Sequence, residues 1–254
     1  MISLFTHQKN KNVLYTCEDS LTSSVFDLMK FLPDDLFIRI LKNSLFQNKL
    51  PINLGNLLHM SFWDKWDATN TTNTNYVEPD VFMRFENIDI ILEAKRYDNN
   101  QQNPDQMKNE LIAYCNEFFS EQKELIFIQV GGIFSTENEE DFILSNFENK
   151  KVKICKTNWT KLLDTIVYFK NENENSNNND RHIISIFNDI ISAFELHQFY
   201  KLKWLSEMNT VYINKVDLSK FDYSKNENRK WLKNIIISEP LNDNLNKLFY
   251  YARN

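Results

Sequence analysis

The stretch that decides the fold is EPDVFMRFENIDIILEAK, running from Glu78 to Lys95. Two short apolar runs flank Glu86-Asn87, which reads as a tight turn between antiparallel strands. A turn centred between those two residues sets a ladder in which Phe85 faces Ile88, Phe82 faces Ile91, Asp80 faces Glu93 and Glu78 faces Lys95. Side chains alternate across a strand, so the hairpin has two unlike faces. Val81, Met83, Phe85, Ile88, Ile90, Leu92 and Ala94 form an apolar face expected to be core. Glu78, Asp80, Phe82, Arg84, Asp89, Ile91, Glu93 and Lys95 form the other, where function is expected.

The opposition of Asp80 and Glu93 carries the chemistry. Directly opposed residues hold their Cβ atoms roughly 4.5–5.5 Å apart, and like charges there destabilise the ladder. A divalent cation between the two carboxylates reverses the sign of that interaction. Hard ions such as Mg²⁺ prefer carboxylate and carbonyl oxygens and keep several waters. Lys95 points to the same face, placed to hold a water or a phosphate oxygen. Two acids, a cation and a lysine suit metal-assisted hydrolysis of a phosphodiester. The bland alternative is an edge hairpin with solvated charges and an Arg84–Asp89 pair.

Pro79-Asp80, twelve intervening residues and Glu93-Ala94-Lys95 resemble the signature of the PD-(D/E)xK superfamily of restriction-endonuclease-like nucleases. The resemblance covers roughly residues 14–170. It implies that Asp80, Glu93 and the backbone carbonyl of Ala94 bind Mg²⁺ or Mn²⁺, with Lys95 as the catalytic lysine. Many such nucleases carry a glutamate on the helix preceding the sheet, and Glu18-Asp19-Ser20-Leu21-Thr22 resembles that Glu-x-x-Leu-Thr start. Glu18 is thereby implied as a third metal acid; an acid in a first helical turn also simply complements the helix dipole. A glutamine on the helix after the hairpin is common in the superfamily, which implies Gln106 as a group that contacts substrate or orients a water. The alternative is an ordinary exposed helix residue. The spacing from Gln106 to Tyr114 departs from the Gln-x-x-x-Tyr of RecB-like members, so that subfamily is not supported.

Composition sets the bounds. A chain of 254 residues, 42% hydrophobic and 14% aromatic, has ample material for one large domain or a domain with an appendage. Only 3 glycines leave no phosphate-cradling loop, which argues against a P-loop or dinucleotide site. The net charge of -6 makes the chain a poor non-specific DNA binder by itself, so a nuclease reading needs a local basic patch or a partner that supplies the grip. Cys17, Cys115 and Cys155 are widely spaced and odd in number, which suits buried thiols in a reducing compartment. No run approaches membrane-spanning length, and the opening MISLFTHQKNKN lacks a long apolar segment, so a cytoplasmic protein is expected.

Along the chain, helical spacing predicts helices over 17–31 and from Leu36 to Leu45. Residues 57–66 are expected as the first strand; His59 within it reads as a core or edge residue more readily than as a ligand or base. Ala68 to Asn75 is a polar loop. Pro104 suits the first position of a helix running to about residue 120. Glu124 to Val130 reads as a strand buried on both faces, residues 139–147 as a short helix, Lys151 to Cys155 as a strand and 159–170 as a helix. The polar run Asn171 to Asp180 is expected as a linker or surface loop. Ile183 to Leu196 is a strongly amphipathic helix. Val211-Tyr212-Ile213 suggests a strand, Trp231 to Ile237 and 241–251 suggest helices, and Lys225, Arg229, Lys230 and Lys233 form a basic cluster.

The expected architecture is therefore α/β: a restriction-endonuclease-like domain over 1–170 with a central mixed β-sheet flanked by helices, a linker or surface loop over 171–180 and a mostly helical extension over 181–254 that packs on the core or on a partner. The expected activity is metal-dependent phosphodiester hydrolysis in DNA or RNA, within a defence or repair system. The expected partners are nucleic acid and a protein partner or second copy, with no membrane. The rival is a catalytically silent scaffold of the same fold that binds a protein.

Overall fold

A computed structural model describes residues 16–97, 100–137, 141–175 and 180–201, and it places the hairpin inside a six-stranded mixed sheet. The strands are β1 (Leu57–Phe62), β4 (Val81–Phe85), β5 (Ile88–Ala94), β6 (Glu124–Val130), β8 (Lys150–Thr157) and β7 (Phe142–Leu144), in that spatial order. Two short strands, β2 (Trp66–Asp67) and β3 (Tyr76–Val77), pair separately. The helices are α1 (Glu18–Met29), α2 (Asp34–Ser44), α3 (Pro104–Phe118), α4 (Trp159–Asn175) and α5 (Arg181–Leu196).

The hairpin register is the one the turn dictates: Arg84 pairs with Asp89, Met83 with Ile90, Phe82 with Ile91 and Val81 with Leu92. Backbone contacts fix its two-residue tip, with the Glu86 and Asn87 amides donating to the carbonyls of Asn56 and Leu54, both at 3.1 Å. Beyond β5 the sheet turns parallel, β5 with β6 and β6 with β8. The crossover between β5 and β6 is α3, as a parallel connection requires.

The alternation of the hairpin sorts the core into two halves. Val81, Met83, Phe85, Ile88, Ile90, Leu92 and Ala94 are buried against α1, α2, α4 and α5, with Phe85 stacked on Phe37 at 6.3 Å between ring centroids. Phe82 and Ile91 point to the other face, where α3 covers them with Leu111, Tyr114 and Cys115. Much of the face expected to be functional is therefore closed. Asp89 there is fully buried and accepts from the Tyr114 hydroxyl at 2.9 Å and from Arg84 and Lys123 at 3.4 and 3.5 Å. The Arg84–Asp89 pair exists, inside the protein and not on a solvated edge.

Three expectations are corrected. The first strand stops at Phe62, because Trp63 takes a positive φ of 50° and turns the chain out of the sheet. The segment expected as a helix over 139–147 holds edge strand β7, whose Ile143 pairs with Lys151 of β8, followed by a turn. The polar run expected as a linker begins as helix, since α4 continues to Asn175 with an exposed tail that needs no core. Of the two places open to the amphipathic helix, core or partner, α5 takes the core: Phe187, Ile190 and Phe194 are buried beside Trp159, and the compact unit extends to Lys201. The strand and helices expected beyond Lys201, and the basic cluster Lys225–Lys233, lie outside the described residues, as does the opening stretch 1–15. No helix among the described residues is long and apolar enough to cross a membrane.

One glycine ties this fold to the site. Gly131 follows β6 with φ +67°, and a Cβ there would lie 2.2 Å from the Lys95 carbonyl oxygen. Gly131→Ala is expected to destabilise the fold by about 2–4 kcal/mol, from left-handed backbone strain plus a backbone clash. A urea unfolding curve with an unchanged midpoint would contradict this. Asp89→Ala, which strips the partner from three donors, is expected to cost about 3 kcal/mol by the same measurement.

Candidate functional site

The site forms where the hairpin ladder ends. The last pair is Val81 with Leu92, so Asp80 and Glu93 are not ladder partners, nor are Glu78 and Lys95. Instead the Lys95 amide donates to the Val130 carbonyl at 2.7 Å, in line with the parallel pairing of Ala94 with Val130. The two acids meet by another route. The Asp80 carboxylate accepts from the Ala94 amide through Oδ2 at 2.8 Å and from the Trp63 indole through Oδ1 at 3.1 Å. The positive φ of Trp63 that ends β1 brings its indole to this position, and its own amide donates to the Pro79 carbonyl at 3.1 Å.

Glu93, near the end of β5, is 3% exposed. Its Oε1 accepts from Gln106 Nε2 at 2.6 Å and is in close contact with the Lys95 ammonium, while its buried Oε2 has no hydrogen-bond partner. Lys95 Nζ also lies 3.5 Å from Glu18 Oε1, and Glu18 Oε2 accepts from the Arg96 amide at 2.9 Å. Glu18 reaches the site because α1 starts there; the Cys17 amide is capped by Ser20 Oγ at 2.9 Å. The structure thus gathers Glu18, Asp80, Glu93, Lys95 and Gln106, with Ala94 supplying the amide between them. The Lys95 backbone is itself held, its carbonyl accepting from Trp159 Nε1 at 2.8 Å. His59 is exposed on β1 and belongs to none of this.

Among the described residues no three His, Cys, Asp or Glu side chains form a ready-made cation cluster. The Lys95 ammonium contacts Glu93 and lies 3.5 Å from Glu18, and serves both as counter-ion.

Three groups escaped the sequence reading. Trp63, which orients Asp80, read only as packing. Gln102 donates through Nε2 to the Gly131 carbonyl at 3.0 Å and the Glu93 carbonyl at 3.3 Å, tying the loop before α3 to both strand ends. Glu110 is the most informative. It is 1% exposed, and neither of its oxygens has a hydrogen-bond partner of ordinary geometry, although Glu93 and Gln106 are near enough to influence its ionisation. Gln106, Glu110 and Tyr114 fall at successive helical turns, on the stripe of α3 that faces Glu93 and Asp89. An acid one turn before Tyr114 and two before Phe118 was the readable signal. A cleft of about 240 Å³ opens beside it, lined by Thr72, Asn73, Glu78, Asp105, Asn109 and Glu110 among others.

Electrostatics follow from burial. Removal from water pushes Asp80 well above the usual carboxylate range, with Glu93 adding to the rise. Burial likewise raises Glu93, against the opposing pull of Lys95. Glu110 rises well above its ordinary value through burial and then the charges of Glu93 and Asp80. Burial works against the charge of Lys95, yet Glu93, Asp80 and Glu18 together hold it above the usual lysine range. Among the described residues the site sets four carboxylates against one ammonium, three of them (Glu93, Asp80 and Glu18) acting on it directly, an imbalance that protons or a multivalent cation must answer. Burial raises the Cys155 thiol and pushes Cys115 up to about 11, which disfavours the thiolate at both.

No family model matches the chain. Over 204 residues, 75% of this chain and 74% of the relative, it is 28% identical to the uncharacterized protein PM0110 of Pasteurella multocida (strain Pm70). Among solved structures, the half-complex of Thermococcus gammatolerans McrB AAA+ hexamers with bound McrC matches 52% of this chain at 15% identity and a TM-score of 0.26. This chain spans 28% of that one, and the superposition is too loose to bear on fold or function.

The ordinary values of these acids are 3.8 for Asp and 4.5 for Glu, and the folded state raises them. The folded protein therefore keeps protons that the unfolded chain has released, so their stabilising contribution is complete below those values and is lost as pH rises through the raised ones. Without divalent ions, Glu110→Gln is expected to raise the melting temperature at pH 8, by about 1–3 kcal/mol of stability. The gap from wild type should widen with pH above 4.5, the ordinary Glu value. Parallel melting curves for variant and wild type from acid to alkaline pH would contradict this assignment of Glu110.

Proposed function

We propose that this chain is a metal-dependent nuclease of the PD-(D/E)xK class with a restriction-endonuclease-like core, hydrolysing phosphodiester bonds in nucleic acid, DNA first among them. One observation carries the reading: the Ala94 amide holds Asp80 at 2.8 Å, beside a Glu93 whose other neighbour is the Lys95 ammonium. An acid, a second acid and a lysine meet at the C-terminal ends of parallel strands, where open α/β sheets place their ligands.

The residues fit a hard divalent cation. Glu93 Oε2 is buried without a partner, and Asp80 and Glu18 use their oxygens on single donors, leaving further lone pairs. Mg²⁺ is commonly held by one or two carboxylates with several waters retained. Asp80, Glu93, the Ala94 carbonyl and Glu18 would hold it. When bound, the ion supplies Lewis-acid polarisation of the phosphoryl oxygen and a more acidic water.

The chain's own groups do the rest. Lys95, once its role as counter-ion to Glu93 and Glu18 is relieved, is free to donate to a phosphate oxygen and to stabilise charge that develops there. Gln106 keeps a second amide hydrogen beyond the one on Glu93, with which it can orient a water. Trp63 and the Ala94 amide fix Asp80, so that little reorganisation is needed when substrate arrives. A purely binding scaffold has no use for four acids around one ammonium. Role and setting follow by analogy with the class: a cytoplasmic component of a defence or repair system, with a protein partner or second copy supplementing the nucleic-acid grip.

The test is to incubate the purified chain with single-stranded, duplex and supercoiled DNA and with RNA, with and without Mg²⁺ or Mn²⁺. Cleavage is expected only with metal, and a loss of about 100-fold or more in Asp80→Asn and Lys95→Met. A folded wild type that cleaves none of these, and that Mn²⁺ does not stabilise in a melting experiment, sinks the proposal.

A further inference from the structure

Glu110 has no part in the chemistry so far, yet its burial demands an explanation. A glutamate that is 1% exposed with two bare oxygens is rare, and an unseen ion or water is a usual answer. A second bare oxygen, Glu93 Oε2, belongs to its neighbour across the α3–β5 interface. Glu93 Oε1 is occupied by Gln106 and Lys95, so among the described residues these three are the buried carboxylate oxygens of the site with no hydrogen bond of ordinary geometry. The adjoining cleft of about 240 Å³ is lined by Glu78, Asp105 and Glu110, with no lysine or arginine among its lining residues. That volume has room for several waters at roughly 30 Å³ each. Thr72, Asn73, Asn103 and Asn109 bring side-chain oxygens that can accept from such waters.

We infer that Glu110 and Glu93 Oε2 together form a second divalent-cation position, on the α3 side of the site and open to the acidic cleft. Resting on the nuclease reading above, it would have Glu93 shared by two positions, one with Asp80 and Glu18 and the other with Glu110. The second ion keeps most of its waters, as an ion held by two carboxylates does. Its placement explains why the cleft is acidic although the substrate is an anion: the acids face the ion. It also explains why the position one turn after Gln106 is a carboxylate instead of an aromatic residue such as Tyr114.

The competing account is that Glu110 is simply a protonated acid donating to Glu93. Glu110→Gln separates the two, because the amide retains a donor and loses the anionic ligand. Mn²⁺ is titrated into the full-length chain and its variants, and bound ions are counted by the electron-spin-resonance signal of the free ion and by calorimetry. Two ions are expected in wild type and one in Glu110→Gln, whose second site weakens by at least about tenfold. One ion in both proteins overturns the second position and leaves the nuclease proposal standing. No ion in wild type overturns both. Should Glu110→Gln fail to fold, anomalous scattering from Mn²⁺-soaked wild-type crystals decides: a peak in bonding contact with the Glu110 carboxylate supports the position, and its absence overturns it.

Discussion

The Ala94 amide donating to Asp80 is the interaction on which the site depends. It occurs where the β4–β5 ladder gives out, so an amide near the end of β5 meets a carboxylate from the strand before it. The loss of regular pairing is what frees the Asp80 side chain to turn toward Glu93. Trp63 completes the clamp by leaving its own strand at a positive φ, a conformation costing of order 1–3 kcal/mol for a residue of this kind. The surrounding core sustains that cost: Phe62, Trp63, Val81 and Leu92 belong to the same buried cluster. Position in the site is thus set by packing on one face of the hairpin and expressed as chemistry on the other.

The hairpin itself was legible because two independent periodicities agreed. A two-residue turn fixes register, and register with alternation fixes faces; both are local facts of the sequence. Glu18 and Gln106 are distant in sequence, and no local pattern places them beside Glu93; the family resemblance pointed to them and the fold brings them there. Glu110 was missed for the opposite reason. It lies within a stripe of apolar helix residues, and a lone acid among them reads as an exposed position unless the sheet beneath is known to be polar at that level. Strand β7 was mistaken for helix because three residues carry too little period to distinguish, and the pairing with β8 decides. The tail of α4 shows the converse, since its polar composition excludes a core and not a helix.

Charge is where the site and the chain as a whole pull together. Removing carboxylates from water favours protonation, and among the described residues Lys95 is the ammonium set against them. The lysine is therefore immobilised by the acids in the absence of another cation, in contact with Glu93 and near Glu18. An incoming divalent ion and the lysine compete for the same oxygens. Binding the ion would both neutralise the acids and release the lysine, so that the two electrophilic groups become ready together.

If the proposed activity holds, the same competition bears on how an acidic protein would meet an anionic polymer. The cleft beside Glu110 presents carboxylates and amides, and phosphates have no direct attraction to it. On the proposed reading, ions bound at its base would convert that surface from repulsive to attractive at the reacting phosphate alone. Affinity along the rest of the strand would then come from cations elsewhere in the chain or on a partner. Such a division would localise attraction to the reacting phosphate and leave general grip to a separable element. It would account in one step for a net charge of -6 and for an acidic, buried site within one chain.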